Sequence, residues 1–382
     1  MSFDLSGMHL DDFRELFSDS RPEPENSLFQ QITNSLNADG ELPRDFQLPA
    51  PKHAEGSVSF VDGARDAMLI YHSVKEAEPP QQSAALLDTV IDAVKRHACN
   101  DALLKIYALT DGCSVLTLRK MILSRFTRYL GEAAAGADGI VFETSGVSEL
   151  MYECLRGYDA EVVKFGLVLC ELNTEEKHIP KEMIRVLSRC NEFTLFCLYN
   201  MQGWINANSE IFYTAMHVHG WGRIHAVDMI SPRTEQIRTW LLMNGCHNDI
   251  MPQYSALAVY EKTGCRRILV QAVTDRQLSE IAFLLSALVA EGVSAGISAV
   301  RDADALLTDF IDQARRHSLT LGICELVLFI RMTRSDEQLR SRCDDLLGSS
   351  GCRELTARAY AEGRGEKLAE FLGMTGRRDD GE

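Results

Sequence analysis

The sequence predicts an all-α protein built as an α-solenoid, a stack in which each helical hairpin packs on the next. Apolar residues recur at helical spacing in one segment after another, as at Ile237, Trp240 and Leu241. Glycines and prolines separate these segments by short turns, which places consecutive helices side by side. No stretch alternates apolar and polar residues with a period of two, so we expect no sheet of any size.

Composition is that of a protein folded in water. Of the 382 residues 46% are hydrophobic and 25% charged, and the mean hydropathy is -0.11. No segment approaches the roughly 18 uninterrupted apolar residues of a membrane span, and the first residues, MSFDLSGMHLDDF, are acidic where a signal peptide is basic and then apolar. We therefore expect a cytoplasmic protein with no membrane partner.

The cysteine pattern argues against a disulfide-bonded or zinc-ribbon protein, and the net charge argues against a nucleic-acid-binding protein. The 11 cysteines show neither CxxC nor CxH spacing, so we expect reduced thiols rather than disulfides or a zinc ribbon. The net charge of -16 argues against a nucleic-acid partner, because binding to phosphate backbones depends on lysine and arginine.

Residues 1–56 differ from the rest of the chain and predict an acidic, proline-rich, partly disordered N-terminal arm. Two amphipathic pieces interrupt this arm, and each is expected to dock as a helix, on this chain or on a partner. Docking on this chain is favoured, because the end of a helical stack needs its apolar face covered. The first piece carries Leu10, Phe13, Leu16 and Phe17, and the second carries Leu28, Phe29, Ile32 and Leu36.

An N-terminal helical segment is predicted over residues 57–130, followed by a loop. The loop, residues 131–146, reads GEAAAGADGIVFETSG and is the most plausible domain boundary, with Ile140 to Phe142 as a short extended piece. Within the segment, apolar spacing predicts helices over 62–75, 83–97, 103–108 and 115–130.

Helical repeats are predicted over residues 147–372, and the polar tail 373–382 is expected to be disordered. Gly220, Gly245 and Gly264 are expected to end helices in left-handed conformations, and Ser231 before Pro232 reads as an N-cap. Pro180 is placed to start a helix. The predicted helices are 147–156, 159–172, 180–189, 191–203, four within 206–263, 265–273, 276–291, 301–317, 320–332, 335–347, 352–361 and 365–372.

The segment WGRIHAVDMI, residues 221–230, resembles the second helix of a HEAT-type repeat, in which a turn is followed by an arginine and then by small and aliphatic residues. The following segment, which opens with Ser-Pro and closes at LLMNGC, is similar to the next helix of such a repeat. The resemblance covers residues 147–292 and implies irregular HEAT-like hairpins that act as an interaction scaffold. Repeats would begin near residues 208, 232 and 265, intervals of about 24 and 33 residues, shorter than the roughly 40–47 of HEAT and armadillo units.

No motif predicts catalysis or a cofactor. The sequence has no Gly-x-Ser-x-Gly elbow, no phosphate-binding loop and no His-Glu dipeptide of the kind that holds a di-iron centre in helical-repeat hydroxylases. His217, His225 and His247 are the only candidates for metal ligands, and a site there would need them to converge on one ion at about 2 Å. The sequence gives no reason for such convergence, so no metal site is predicted.

Aromatic residues concentrate between residues 193 and 254, where all three tryptophans lie. Most should fill the spaces between helices, but those on a concave face could form a groove for a peptide or helix, since tryptophan and tyrosine dominate binding hot spots. Arg223 is expected to sit at the inner edge of its repeat and to pair with a carboxylate of the neighbouring one. The candidate groove residues are Trp204, Tyr213, Trp221, Arg223, Trp240 and Tyr254.

These observations favour a non-enzymatic scaffold that binds a protein or peptide. The alternative is a helical-repeat enzyme or DNA-repair factor of the alkylpurine DNA glycosylase kind, which the negative net charge disfavours. Metal-dependent chemistry around His217 to His247 is a third, weaker hypothesis. The partner, the oligomeric state and the docking of the arm on this chain or on another stay open.

Overall fold

The all-α prediction is confirmed. A computed structural model describes residues 26–49, 60–72, 82–111, 113–134, 145–173, 179–271 and 273–375, and within these ranges it contains 20 α-helices and no strand. None of these helices combines the length and the apolar character that crossing a lipid bilayer requires. The amphipathic piece around Phe13 and the extended piece around Val141 lie outside the described residues.

Helices of the chain group into two compact units, residues 1–230 and 231–382. The sequence-based scheme of arm, segment, loop, repeats and tail stays a prediction, since most of its loop lies outside the described residues. The first unit contains α1 (Leu28–Ser35), α2 (Ala64–Tyr71), α3 (Ser83–Lys95), α4 (Cys99–Thr110), α5 (Val115–Ala134), α6 (Val147–Leu155), α7 (Ala160–Cys170), α8 (Lys181–Leu187), α9 (Asn191–Met201), α10 (Ala207–His217) and α11 (Gly220–Met229).

Helix α1 is the second amphipathic piece of the arm, and it docks on its own chain. Leu28, Phe29 and Ile32 are buried, and the helix packs against α8. The side chain of Ser27 accepts a hydrogen bond from the backbone N–H of Gln30 at 3.1 Å and so caps the helix. Docking in cis is therefore the observed state of this piece.

The core of the first unit forms around α7. Every residue of this helix from Val162 to Cys170 is buried, as expected for a helix that is apolar on nearly all sides. Helix α7 packs against α5, α6 and α9, and α9 packs in turn against α11. The pairs α3 with α4, α6 with α7, and α10 with α11 are consecutive hairpins. Packing of sequence neighbours, the feature predicted for a solenoid, is thus confirmed in this unit.

Helices that follow one another in the chain also pack together in the second unit. Helices α12 and α13, and α17 and α18, pack as consecutive pairs, while α15 packs on both α13 and α17. It contains α12 (Glu235–Asn244), α13 (Gln253–Thr263), α14 (Cys265–Gln271), α15 (Asp275–Val289), a 3-10 turn (Ile297–Ala299), α16 (Ala303–Ala314), α17 (Leu321–Thr333), α18 (Glu337–Leu347), α19 (Ser350–Ala361) and α20 (Glu366–Phe371).

The three glycines that were predicted to end helices in a left-handed conformation differ in backbone conformation and in position. Gly264 is left-handed after α13, with φ of 66°, as predicted. Gly220 is also left-handed, with φ of 58°, but it is the first residue of α11 rather than the end of α10. The prediction for Gly245 was wrong, since its φ is -62°. Glycine is required there for packing, because a Cβ would lie 2.6 Å from Cγ2 of Val259.

The predicted N-cap at Ser231 was also wrong. Helix α12 begins at Glu235, and its cap is Thr234, whose side chain accepts a hydrogen bond from the backbone N–H of Ile237 at 3.2 Å. Both residues can cap a helix, and the later start places Ile237 and Leu241 in the core. The proline prediction was correct, since Pro180 immediately precedes α8.

Candidate functional site

Two of the predicted groove residues, Trp204 and Trp221, are buried. Their exposed fractions are 4% and 5%, so neither indole forms an open floor for a partner. The ring of Trp204 packs against cations, with Nζ of Lys181 at 5.0 Å and Cζ of Arg185 at 5.7 Å from the ring centroid. The ring of Trp221 stacks on Tyr71 at 6.2 Å. Both tryptophans stabilise the first unit from within.

Arg223 and Tyr213 stabilise the end of α10. The Nε of Arg223 donates to the carbonyl oxygen of Val218 at 2.8 Å, and Nη2 donates to that of Met216 at 3.3 Å. These carbonyls lie at a helix C-terminus, where they lack helical partners, and a buried guanidinium satisfies them. Arg223 thus caps the C-terminus of α10, and its expected ion pair with a neighbouring repeat stays a prediction. Tyr213 is half-buried.

Trp240 and Tyr254 belong to the second unit and are both half-buried. The structure does not test a binding role for any of the six predicted residues, so that role stays a prediction. Burial of Trp204 and Trp221 nevertheless removes the reason to place a groove on them.

The three candidate metal ligands have different neighbours. Nδ1 of His217 donates to the carbonyl oxygen of Tyr213 at 2.7 Å, and burial lowers the pKa of this imidazole below its usual value. In the second unit, Nε2 of His247 lies 2.9 Å from Oε2 of Glu280, and its ring stacks on Phe283 at 4.6 Å. Across the described residues, no three His, Cys, Asp or Glu side chains meet in a geometry that could hold a metal ion.

His225 belongs to a small cluster between α2 and α11. The hydroxyl of Tyr71 donates to Oδ2 of Asp228 at 2.9 Å and lies 3.2 Å from Nδ1 of His225. The rings of Tyr71 and His225 stack at 5.5 Å. Because burial disfavours the imidazolium, the pKa of His225 falls to about 4. This histidine is therefore neutral at pH 7, and Asp228 holds the tyrosine in place.

A cluster of one buried lysine and three carboxylates surrounds Lys164 in the first unit, and sequence reasoning missed it. Lys164 lies in the middle of the apolar helix α7 and is fully buried. Its Nζ contacts Oδ2 of Asp66 at 2.7 Å, Oε1 of Glu161 at 2.9 Å and Oε1 of Glu192 at 2.5 Å. A single lysine thus holds carboxylates from α2, α7 and α9. A lysine within the run AEVVKFGLVLC was the only signal that the sequence offered.

Backbone amides hold two of these carboxylates from the other side. Oε2 of Glu192 accepts from the N–H of Gly63 at 2.6 Å, and Oε2 of Glu161 accepts from the N–H of Val115 at 2.6 Å. Each of these N–H groups lies at or just before a helix N-terminus, where such donors lack partners within the helix. The cluster thereby connects the starts of α2 and α5 to α7 and α9.

The protonation states in this cluster follow from burial and from charge. Burial raises the pKa of Asp66 to about 7, against the attraction of Lys164, and Oδ1 of Asp66 is buried without a hydrogen-bond partner among the described residues. Burial lowers the pKa of Lys164, but the three carboxylates outweigh it and hold that pKa well above its usual value. Lys164 is therefore always protonated near neutral pH and cannot serve as a nucleophile or base.

The second unit carries an open groove with a volume of about 620 Å³. It lies between α16, α18 and α19, and its apolar residues are Leu319, Leu346 and Leu355. Leu346 is buried and forms the floor, whereas Leu319 and Leu355 are half-exposed. Sequence reasoning missed this groove because its leucines come from three separate segments and none breaks the helical pattern.

The rim of the groove carries charges of both signs. Nη2 of Arg315 lies 3.0 Å from Oδ2 of Asp345, so this pair largely neutralises itself. Glu354 and Arg358 lie one turn apart on α19, and neither side chain forms a hydrogen bond or an ion pair with any residue that the structure describes. Arg358 is exposed and is the rim cation most available to a partner. This arrangement can bind an apolar side chain flanked by a charged group.

No known protein family, curated protein or solved structure matches this chain. The resemblance to HEAT repeats therefore stays a prediction, and the functional argument rests on the geometry of the two units.

Proposed function

We propose that the chain is a non-enzymatic interaction scaffold whose second unit binds a peptide segment of a partner protein, in a cytoplasmic setting. The observation that carries this proposal is the groove of about 620 Å³ lined by Leu319, Leu346 and Leu355. Its volume falls within the roughly 300–1,000 Å³ typical of binding pockets, and its shape is open along one side. An apolar side chain of a peptide would cover the two half-exposed leucines.

The charges favour a peptide with an acidic residue beside its apolar anchor. Arg315, His317 and Arg358 line the groove, against Asp345 and Glu354. Arg315 pairs with Asp345, and Nδ1 of His317 lies 2.7 Å from Oδ1 of Asp275, so Arg358 is the rim arginine whose side chain can meet a carboxylate of a partner, beside an equally unpaired Glu354, among the residues described. Electrostatic complementarity of this kind contributes to specificity and to the rate of association.

The enzymatic alternatives find less support. A glycosylase-like cleft needs an exposed tryptophan and a carboxylate on a basic surface, yet Trp204 and Trp221 are buried and the groove rim is of mixed charge. Lys164 and Asp66, whose pKa values are both raised, are buried in contacts that hold helices together. Their perturbation is that of a structural ion-pair network, which is a known alternative to an active site.

A displayed peptide library, selected against the full chain, tests the proposal. We expect enriched peptides with one or two large apolar residues next to an aspartate or glutamate. Fluorescence polarisation of labelled peptides should show affinity reduced by about tenfold in Leu355→Ala and Arg358→Glu, which corresponds to about 1.4 kcal/mol each. Tyr360→Ala is the matched control, because Tyr360 is exposed on the same helix but does not line the groove.

Two outcomes would contradict the proposal. One is a selection that yields no peptide whose binding saturates. The other is a set of enriched peptides that bind Leu355→Ala and Arg358→Glu as tightly as the parent protein, which would place their site elsewhere.

A further inference from the structure

A second, smaller cavity lies in the first unit, independent of the groove. It has a volume of about 50 Å³, several times the roughly 10–15 Å³ that one water needs. Residues 42–46, which follow α1 in the chain, cover one side of it. The other sides come from Asp62, from residues 189–191 between α8 and α9, and from His217 and His219 at the end of α10.

Arg189 is the main charged group of this cavity. Its exposed fraction is 7%, and the only hydrogen bond of its side chain within the described residues runs from Nη1 to the carbonyl oxygen of Tyr213 at 3.5 Å, the outer limit for such a bond. The guanidinium also lies over the ring of Tyr213, at 4.6 Å from the centroid. A guanidinium has five N–H donors, so most of those of Arg189 lack an acceptor.

The neighbouring Arg185 binds a carboxylate, which the side chain of Arg189 does not do within the described residues. Arg185 binds Glu210 through two parallel bonds, Nε to Oε2 at 3.0 Å and Nη2 to Oε1 at 2.6 Å. Glu210 is therefore already occupied. Burial lowers the pKa of Arg189 to about 10, so its side chain still carries a positive charge at neutral pH. The unbonded nitrogens of Arg189 are not sealed from solvent, so an anion in the cavity can reach them and form charge-assisted hydrogen bonds there.

The other groups near the cavity carry charges of both signs. Arg44, His217 and His219 line it, burial lowers the pKa of His217, and Nε2 of His219 lies 3.9 Å from Oε2 of Glu41. The opposing carboxylate is Asp62, whose Oδ2 accepts a bond from the backbone N–H of Leu48 at 3.2 Å. The carboxylate of Asp62 is therefore already hydrogen-bonded, and burial raises the pKa of this group. Arg189 therefore faces a carboxylate that already has partners of its own.

We propose that this cavity binds a small oxyanion, either a carboxylate or a phosphate, held by the guanidinium of Arg189 with Arg44 at the opening. An oxyanion is favoured over a halide because the planar fork of an arginine matches two oxygens at once. The volume admits roughly three or four waters, and hence one group of this size. Bound there, the anion would fix residues 42–46 to the turn between α8 and α9.

Isothermal titration of the full chain with inorganic phosphate, sulfate or acetate at constant ionic strength tests the proposal, with chloride as the comparison. We expect one saturable site for at least one of these oxyanions and none for chloride. Affinity should fall by about tenfold or more in Arg189→Met, and by about threefold to tenfold in Arg44→Gln, an exposed position that can be changed without disturbing the core. Arg128→Gln is the matched control, because Arg128 is exposed on α5 and does not line the cavity.

Hydrogen exchange gives a second readout that does not depend on the folding of Arg189→Met. The oxyanion should slow exchange in residues 42–46 of the parent protein and have a smaller effect in Arg44→Gln. The proposal is overturned if none of the three oxyanions binds saturably at up to about 10 mM, a limit that corresponds to a binding free energy weaker than about 3 kcal/mol. Unchanged affinity in Arg44→Gln together with unchanged exchange in residues 42–46 would overturn it as well.

Discussion

Replacing Lys164 with methionine would leave the buried carboxylate of Asp66 and the partly buried carboxylates of Glu161 and Glu192 without their cation. Removing one partner of a buried ion pair typically costs about 3–5 kcal/mol, because the remaining charge is left without compensation. Two features reduce this cost here. Glu161 and Glu192 keep their bonds to backbone N–H groups, and Asp66 can take up a proton. We therefore expect a loss of about 3 kcal/mol in the free energy of unfolding at pH 8.

The loss of unfolding free energy in Lys164→Met should depend on pH, and protonation of Asp66 sets the direction of this dependence. Without the lysine, the pKa of Asp66 should rise above its value of about 7, so the folded variant binds protons that the unfolded chain does not. Protonation therefore stabilises the folded variant as the pH falls. The difference between Lys164→Met and the parent should shrink between pH 8 and pH 5.

Tryptophan fluorescence can report the unfolding of the first unit alone. Trp204 and Trp221 lie in that unit and Trp240 lies in the other, so a Trp240→Phe background confines tryptophan fluorescence to the unit of interest. Urea unfolding in this background, at several pH values, gives the free energies directly. The double variant Lys164→Met/Asp66→Asn should recover about 1 kcal/mol or more, because it removes the carboxylate that has lost its cation. A Lys164→Met protein within about 0.5 kcal/mol of its parent at pH 8, or a loss that does not change with pH, would refute this account of the cluster.

Three further substitutions, one of them a control, test the same unit. Because burial lowers the folded-state pKa of His225 from 6.5 to about 4, its contribution to stability is complete above pH 6.5 and is lost as the pH falls towards 4. His225→Phe should therefore remove about 3 kcal/mol of the pH dependence of unfolding between pH 6.5 and 4, and an unchanged slope would contradict the neutral buried imidazole. Gly222→Ala should cost about 1–3 kcal/mol, because its Cβ would lie 2.6 Å from Oγ1 of Thr194 and from Cγ2 of Val218. Gly131→Ala, at an exposed position of α5 with no atom near the new Cβ, should instead raise the free energy of unfolding by up to about 1 kcal/mol, and equal effects of the two alanines in a urea titration would exclude close packing as the cause.

Helices were the most predictable feature, because their signal is local. The apolar spacing of residues 147–156 predicted a helix, and α6 spans Val147–Leu155. The N-cap residues were harder to predict, because several polar side chains near one helix start can each accept a hydrogen bond from a backbone N–H of the first turn. Ser231 and Thr234 are both suitable caps, and only the packing of Ile237 and Leu241 selects the second.

Burial of the aromatic residues could not be read from their positions in the chain. Trp204 looked like a binding residue because aromatic side chains serve equally well in cores and in interfaces. Whether an indole is covered depends on helices that approach from elsewhere, as the cations of α8 approach Trp204. The same limit applies to the groove, whose leucines come together only when α16, α18 and α19 are packed.

The sequence by itself determined that this chain is all helical, where most of its helices run and that helices adjacent in sequence pack together, because hydrophobic periodicity and turn residues act over a few positions. Only the tertiary structure decided which charges meet. Asp66 reaches Lys164 across 98 residues, and Glu210 binds Arg185, whereas the side chain of Arg189 bonds no carboxylate in the part of the chain that the structure describes. Electrostatic pairing depends on distance in space and on burial, and neither quantity is written in the order of the residues.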